Sequence, residues 1–147
     1  MCVRGASALQ SVLDQVHGQQ VRVLVVWEPV IWTDTGPPGS SVLSRISDSR
    51  AAHFWDQERL LSKTLVQEWN RSGVRIEAEG GSDPDVIIWD FVAVFPRDAR
   101  WDEAFPQSDY HGSPVGEHVE QVHAKLVASM REGHGAGAER AHPTPGM

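Results

Sequence analysis

Carboxylates set beside indoles are the chemistry-bearing pattern of this chain. Four of its six tryptophans are followed directly by an acid: Trp27-Glu28, Trp55-Asp56, Trp89-Asp90 and Trp101-Asp102. A carboxyl group packed among indoles loses hydration, which raises its pKa toward the range useful for proton transfer. Glu28 and Asp90 are the candidate proton carriers, Asp90 because it interrupts an otherwise apolar run and an unpaired buried carboxylate is costly. The candidate ligand-binding residues from the first half of the chain are Trp27, Glu28, Trp32, Asp34 and Arg50. Trp55, Asp56 and Asp90 complete the set, with Glu28, Asp56 and Asp90 expected to approach one another. The same residues also suit a plainer role. Indoles fill cores, and the acids can cap helices or pair with Arg45, Arg50 or Arg59. Asp34, between Thr33 and Thr35, suits an Asx-turn as well as a ligand hydroxyl.

Several chemistries find no support in the spacing. Glu120 and His123 stand at i, i+3 on a predicted helix, but a catalytic metal needs about three protein ligands and no third falls into register. No metal and no cofactor is therefore expected. There is no Gly-x-Ser-x-Gly, no P-loop and no Gly-x-Gly-x-x-Gly turn after the first strand. The net charge is −7, and the 13 Lys and Arg residues are scattered, so a phosphate backbone is not an expected partner. No apolar stretch is long enough to cross a bilayer, and the residues after Met1 do not form a secretory signal. With one cysteine, Cys2, no internal disulfide can form, and the default setting is cytoplasmic.

The elements that must position these residues follow from hydrophobic periodicity. Leu9, Val12, Leu13 and Val16 share one face of a helix over about 7–17, with Ser7 as N-cap and Gly18 at its end, expected on the edge of the domain. Val21 to Trp27 is nearly all apolar and valine-rich, the pattern of a central strand covered on both faces. Pro29 ends it and opens a long connection through Gly36-Pro37-Pro38-Gly39, with one helical turn near Ser41 to Ile46. Ser49 to Arg71 fits one long helix capped by Asp48, burying Ala51, Phe54, Trp55, Leu61, Leu65 and Trp69. Val74 to Ala78 alternates as a half-exposed strand, and Gly80 to Pro84 is a turn. Asp85 to Phe95 reads as one long strand, with an irregular stretch to Gly112 and a short strand over Ser113 to Gly116. Glu117 to Glu132 is the last helix. Residues 133–147 lack a core-forming pattern and are expected to be a disordered tail after a single domain spanning 1–132.

This order predicts an α/β fold built as a three-layer sandwich, with a small mixed sheet and flanking helices. It resembles the thioredoxin fold, in which a loop after the first central strand carries the active site and a cis-proline faces it; Pro84 stands at the corresponding place. The segments Trp27-Glu28-Pro29-Val30, Asp48-x-Arg50, Phe54-Trp55-Asp56 and Trp89-Asp90 are similar to a group of uncharacterised small bacterial proteins with a thioredoxin-like fold, over about Val21 to Leu126. The resemblance implies a fold and no activity. Thioredoxins carry Cys-x-x-Cys after the first central strand, where this chain has Trp27-Glu28-Pro29-Val30-Ile31-Trp32, so dithiol exchange has no nucleophile there. The expectation is a redox-inactive thioredoxin-like domain that binds a small molecule or a peptide at the loop after its first strand. The alternatives are an enzyme using Glu28 and Asp90 for acid/base chemistry in a tryptophan-lined pocket, and a homodimer or other interaction module with exposed tryptophans.

Overall fold

Two packed stripes on the first helix organise the chain. The computed structural model describes residues 3–18, 21–72, 87–102 and 104–138. Helix α1 spans Val3–Gln15 and buries Ala6, Val12 and Leu13. Val12 and Val16 join one apolar cluster with Val92, Val94, Val115 and Val122, while Ala6 and Leu13 join a second with Trp27 and Ile46. Leu9 packs against both clusters. The single face read from the sequence is thus two adjoining faces, and α1 lies in the middle of the fold instead of on its edge. Ser7 is not its N-cap: the hydroxyl donates back to the Val3 carbonyl, one turn earlier.

Strand β1 (Val23–Trp27) pairs in parallel with β2 (Ala51–Trp55), placing Val25 beside His53 and Trp27 beside Trp55. The crossover includes the short helix α2 (Ser40–Leu43), close to the helical turn expected there. Val23, Val25 and Ala51 face the second cluster, together with Trp27 and Trp55. The opposite face carries Leu24 and Phe54, which are 63% and 51% exposed. Among the described residues β1 has β2 as its strand neighbour, and its open face means that it lacks the cover on both faces that its valines predicted.

The expected helix from Ser49 is instead a strand and a helix. Ala51, Phe54 and Trp55 satisfy helical spacing, yet pairing with β1 draws them into β2, and tertiary context overrides a local pattern. Arg59, at φ 57°, then turns the chain into α3 (Leu60–Ser72). Asp48 accordingly caps no helix. Strand β3 covers Val92–Val94 alone, because Asp90 takes a left-handed φ of 49° that an extended strand cannot contain. It pairs antiparallel with β4 (Tyr110–Gly112), which occupies the end of the stretch expected to be irregular. Ser113–Pro114 is cis, and Val115–Glu117 forms a 3-10 turn where a strand was expected. Helix α4 (Val119–Ala138) runs beyond Glu132, the end assigned from sequence.

The architecture is mixed α/β, with two two-stranded sheets and flanking helices among the described residues. No helix among the described residues is long and apolar enough to cross a membrane. The predicted strand at Val74 to Ala78, the turn ending at Pro84, and the tail over 139–147 lie outside the described residues.

Candidate functional site

Parallel strands place the residues that follow them side by side, and that is where open α/β sheets bind ligands. Glu28 follows β1 and Asp56 follows β2, held in line by the Asp56 N–H donating to the Trp27 carbonyl at 2.9 Å. The first turn of α3 meets both acids. Leu61 N–H donates to Asp56 Oδ2 at 2.8 Å, and Ser62 N–H donates to Glu28 Oε1 at 3.1 Å. These are orphan donors of a helix start, and carboxylates suit its positive end. The Ser62 hydroxyl, only 2% exposed, donates to Glu28 Oε2 and accepts the Ile88 N–H at 3.1 Å. One serine oxygen thus joins the end of β1, the start of α3 and the chain that leads into β3.

Burial pushes the Glu28 pKa above its ordinary value; the hydrogen bonds from Ser62 work against this, and the neighbouring Asp56 carboxylate adds to it. Glu28 and Asp56 therefore meet as expected. Asp90 does not join them through a direct bond. It lies against the first turn of α1, where a Cβ added to Gly5 would stand 1.9 Å from Asp90 Oδ1.

The loop beyond Glu28 is tied down by Asp34. Its Oδ2 accepts the N–H groups of Val30 at 3.0 Å and Ile31 at 3.2 Å, while Asp34 N–H donates to the Ile31 carbonyl at 2.8 Å. The bond from Val30, then that from Ile31, holds the Asp34 pKa below its ordinary value. This is the Asx-type turn, and it carries Trp32 at its tip, 91% exposed.

The remaining nominated residues serve the scaffold. Trp27 is in the core, where its Nε1–H donates to His53 Nδ1 at 3.0 Å. His53 Nε2 must then carry the ring proton, and it donates to the Ile46 carbonyl at 3.0 Å. Trp55 packs on the same core. Arg50 lies at the other end of the strands. Its guanidinium donates to the carbonyls of Val16, Gly18 and Leu13 at the end of α1, at 2.7, 3.0 and 2.8 Å. Asp48 grips the same guanidinium at 2.8 and 2.6 Å, and that contact, with the Arg50 backbone N–H, lowers the Asp48 pKa to about 2.

Elsewhere, a shallow cleft of about 280 Å³ lies between α1 and α4, lined by Ser11, Val12, Gln15, Val119, Glu120 and His123. It touches none of the nominated residues. Among the described residues no group of three His, Cys, Asp or Glu stands close enough to hold a metal ion. Sequence reasoning missed Ser62, which looks like any polar residue inside a helix. It also passed over Gly5, which lay outside the helix drawn from Ser7 and enters α1 only because that helix begins at Val3.

Comparison with known proteins supplies no relative: the chain matches no protein-family model, no curated protein and no solved structure.

Proposed function

We propose that this chain is a redox-inactive binding module, thioredoxin-like in fold and cytoplasmic in setting, that docks a peptide segment of a partner protein on the loop 28–35. The carrying observation is Trp32: an indole 91% exposed on a turn whose backbone is fixed by the Asp34 carboxylate. An exposed aromatic costs little extra ordering when its loop is already held, and such residues dominate binding interfaces. An indole this exposed is not enclosed by its own chain, which favours a peptide or protein groove over an enclosed small molecule. The element order supports the thioredoxin-like fold. A parallel β-α-β unit leads to a helix, an antiparallel strand pair and a last helix, although the two strand pairs stay separate among the described residues.

The acid/base alternative needs Glu28 and Asp90 together, and it is the weaker reading because Glu28 is bonded to Ser62 while Asp90 lies against α1. Selection from a displayed random peptide library on the full chain tests the docking role. Peptides that need the loop should lose about 2 kcal/mol of affinity on Trp32→Ala, the hot-spot scale. Peptides that bind Trp32→Ala as well as the parent would sink it.

A homodimer through the open face of the β1–β2 pair is the second reading, favoured by the exposure of Leu24 and Phe54. Light scattering at increasing concentration should then show a dimer that Phe54→Lys abolishes. A monomer throughout would exclude it.

A further inference from the structure

We propose that Asp90 reads positive charge in the docked peptide, taking the ammonium or guanidinium of a Lys or Arg side chain beside the Trp89 indole. Asp90's role presupposes the peptide docking at loop 28–35.

Four other acids are already committed. Glu28 and Asp56 hold the start of α3, Asp34 holds its own turn, and Asp48 holds Arg50. Asp90 differs. Among the described residues its carboxylate forms no hydrogen bond and no ion pair, yet the residue is half-buried and its oxygens remain open to solvent. A carboxylate partly stripped of water and left without a donor gains most from an incoming cation.

Its position is built. Asp90 sits at φ 49°, a left-handed conformation rare for side chains with a Cβ. Two bonds from the loop after β4 pin the turn: Val115 N–H donates to the Asp90 carbonyl at 2.9 Å, and the Ser113 hydroxyl donates to the Trp89 carbonyl at 2.7 Å. Gly5 on α1 leaves the space that the carboxylate fills. Backbone held away from its preferred conformation by several contacts is characteristic of sites that use the geometry.

Trp89, 44% exposed, supplies the second half of the recognition. An indole face attracts a cation, and the methylene stem of Lys or Arg packs on its apolar surface. The turn is also coupled to the Trp32 loop. Ile88 N–H donates to the Ser62 hydroxyl, which donates to Glu28, the residue that opens that loop. Two hydrogen bonds thus tie the segment that carries Trp89 and Asp90 to the start of the Trp32 loop.

The test uses the full chain, a displayed random peptide library, and the variants Trp32→Ala and Asp90→Asn. Asparagine keeps the size and tolerates the left-handed φ, so the fold is retained. The parent should enrich Lys or Arg in peptides whose binding needs Trp32. Those peptides should bind Asp90→Asn about tenfold more weakly, and added salt should weaken the parent and not the variant. Trp32-dependent peptides that lack basic residues, or that bind Asp90→Asn unchanged, would overturn the role of Asp90 and leave the docking loop standing. A selection that yields no Trp32-dependent peptide overturns both.

Discussion

Replacing Arg50 by alanine should cost the fold about 3–4 kcal/mol. The guanidinium donates to three carbonyls at the end of α1, those of Leu13, Val16 and Gly18. Its side chain is 11% exposed, so water reaches this junction poorly. A hydrogen bond to a charged group contributes about 1.5–3 kcal/mol net, and the low end applies here because bonds sharing one donor group are not additive. Freed carbonyls regain part of their hydration, which lowers the sum further. Urea unfolding followed by far-ultraviolet circular dichroism reads the loss. With a slope of about 2 kcal/mol per molar urea, typical of a chain this size, the midpoint should fall by roughly 1.5–2 M at unchanged slope. Arg50→Lys should recover no more than about half of the loss, because an ammonium cannot span three carbonyls and a carboxylate together. A loss under about 1 kcal/mol for Arg50→Ala, or a lysine variant equal to the parent, would refute the clasp.

The other predictions concern single contacts. Asp48 titrates at about 2 in the fold against an ordinary 3.8, so its contribution is complete above about pH 4 and is lost as pH falls through about 2; Asp48→Asn should flatten the acid limb of a stability–pH curve over that window. Glu28 has the opposite sign. Its raised pKa means that stability declines as pH rises from 4.5 through its folded value, and Glu28→Gln should remove that decline in the same titration. Gly5→Ala would normally favour a helix by about 1 kcal/mol, but here the new Cβ meets Asp90 Oδ1, so thermal melts should show destabilisation in the parent and a gain in an Asp90→Gly background. Nitrogen-15 NMR of the imidazoles should find neutral His53 protonated at Nε2, and the opposite tautomer would contradict the Trp27 contact.

How much of this was legible follows from the range over which each signal acts. The first strand, the first helix and the last helix announce themselves through local periodicity, and Val23–Trp27, Val3–Gln15 and Val119–Ala138 fall close to where it put them. The stretch from Ser49 does not. Ala51, Phe54 and Trp55 satisfy a helical stripe and a strand equally, and the choice was made by β1, distant in sequence. Arg59 in a left-handed turn gave no warning, since glycine or asparagine normally marks such a place. At the site, Glu28 and Asp56 do meet, but because Asp56 follows a strand paired with β1 and not because it stands on a helix, as the spacing predicted. The Trp27 and Trp55 of the same pattern went to the core, as the packing alternative held. Asp90 was singled out for a burial it has only in part, and its strain and its contact with Gly5 depend on tertiary structure alone.

The place of α1 has a further consequence for how the molecule comes apart. Its residues contribute to both apolar clusters, Leu9 touches both, and Arg50 fastens its end to the start of β2. Neither sheet can release its side of α1 without exposing apolar surface that belongs to the other. The two strand pairs share no ladder among the described residues, and yet they are bound to melt as one cooperative unit. Damage anywhere along α1 will therefore be felt by the end of β1, where loop 28–35 begins, and by the β3–β4 pair alike.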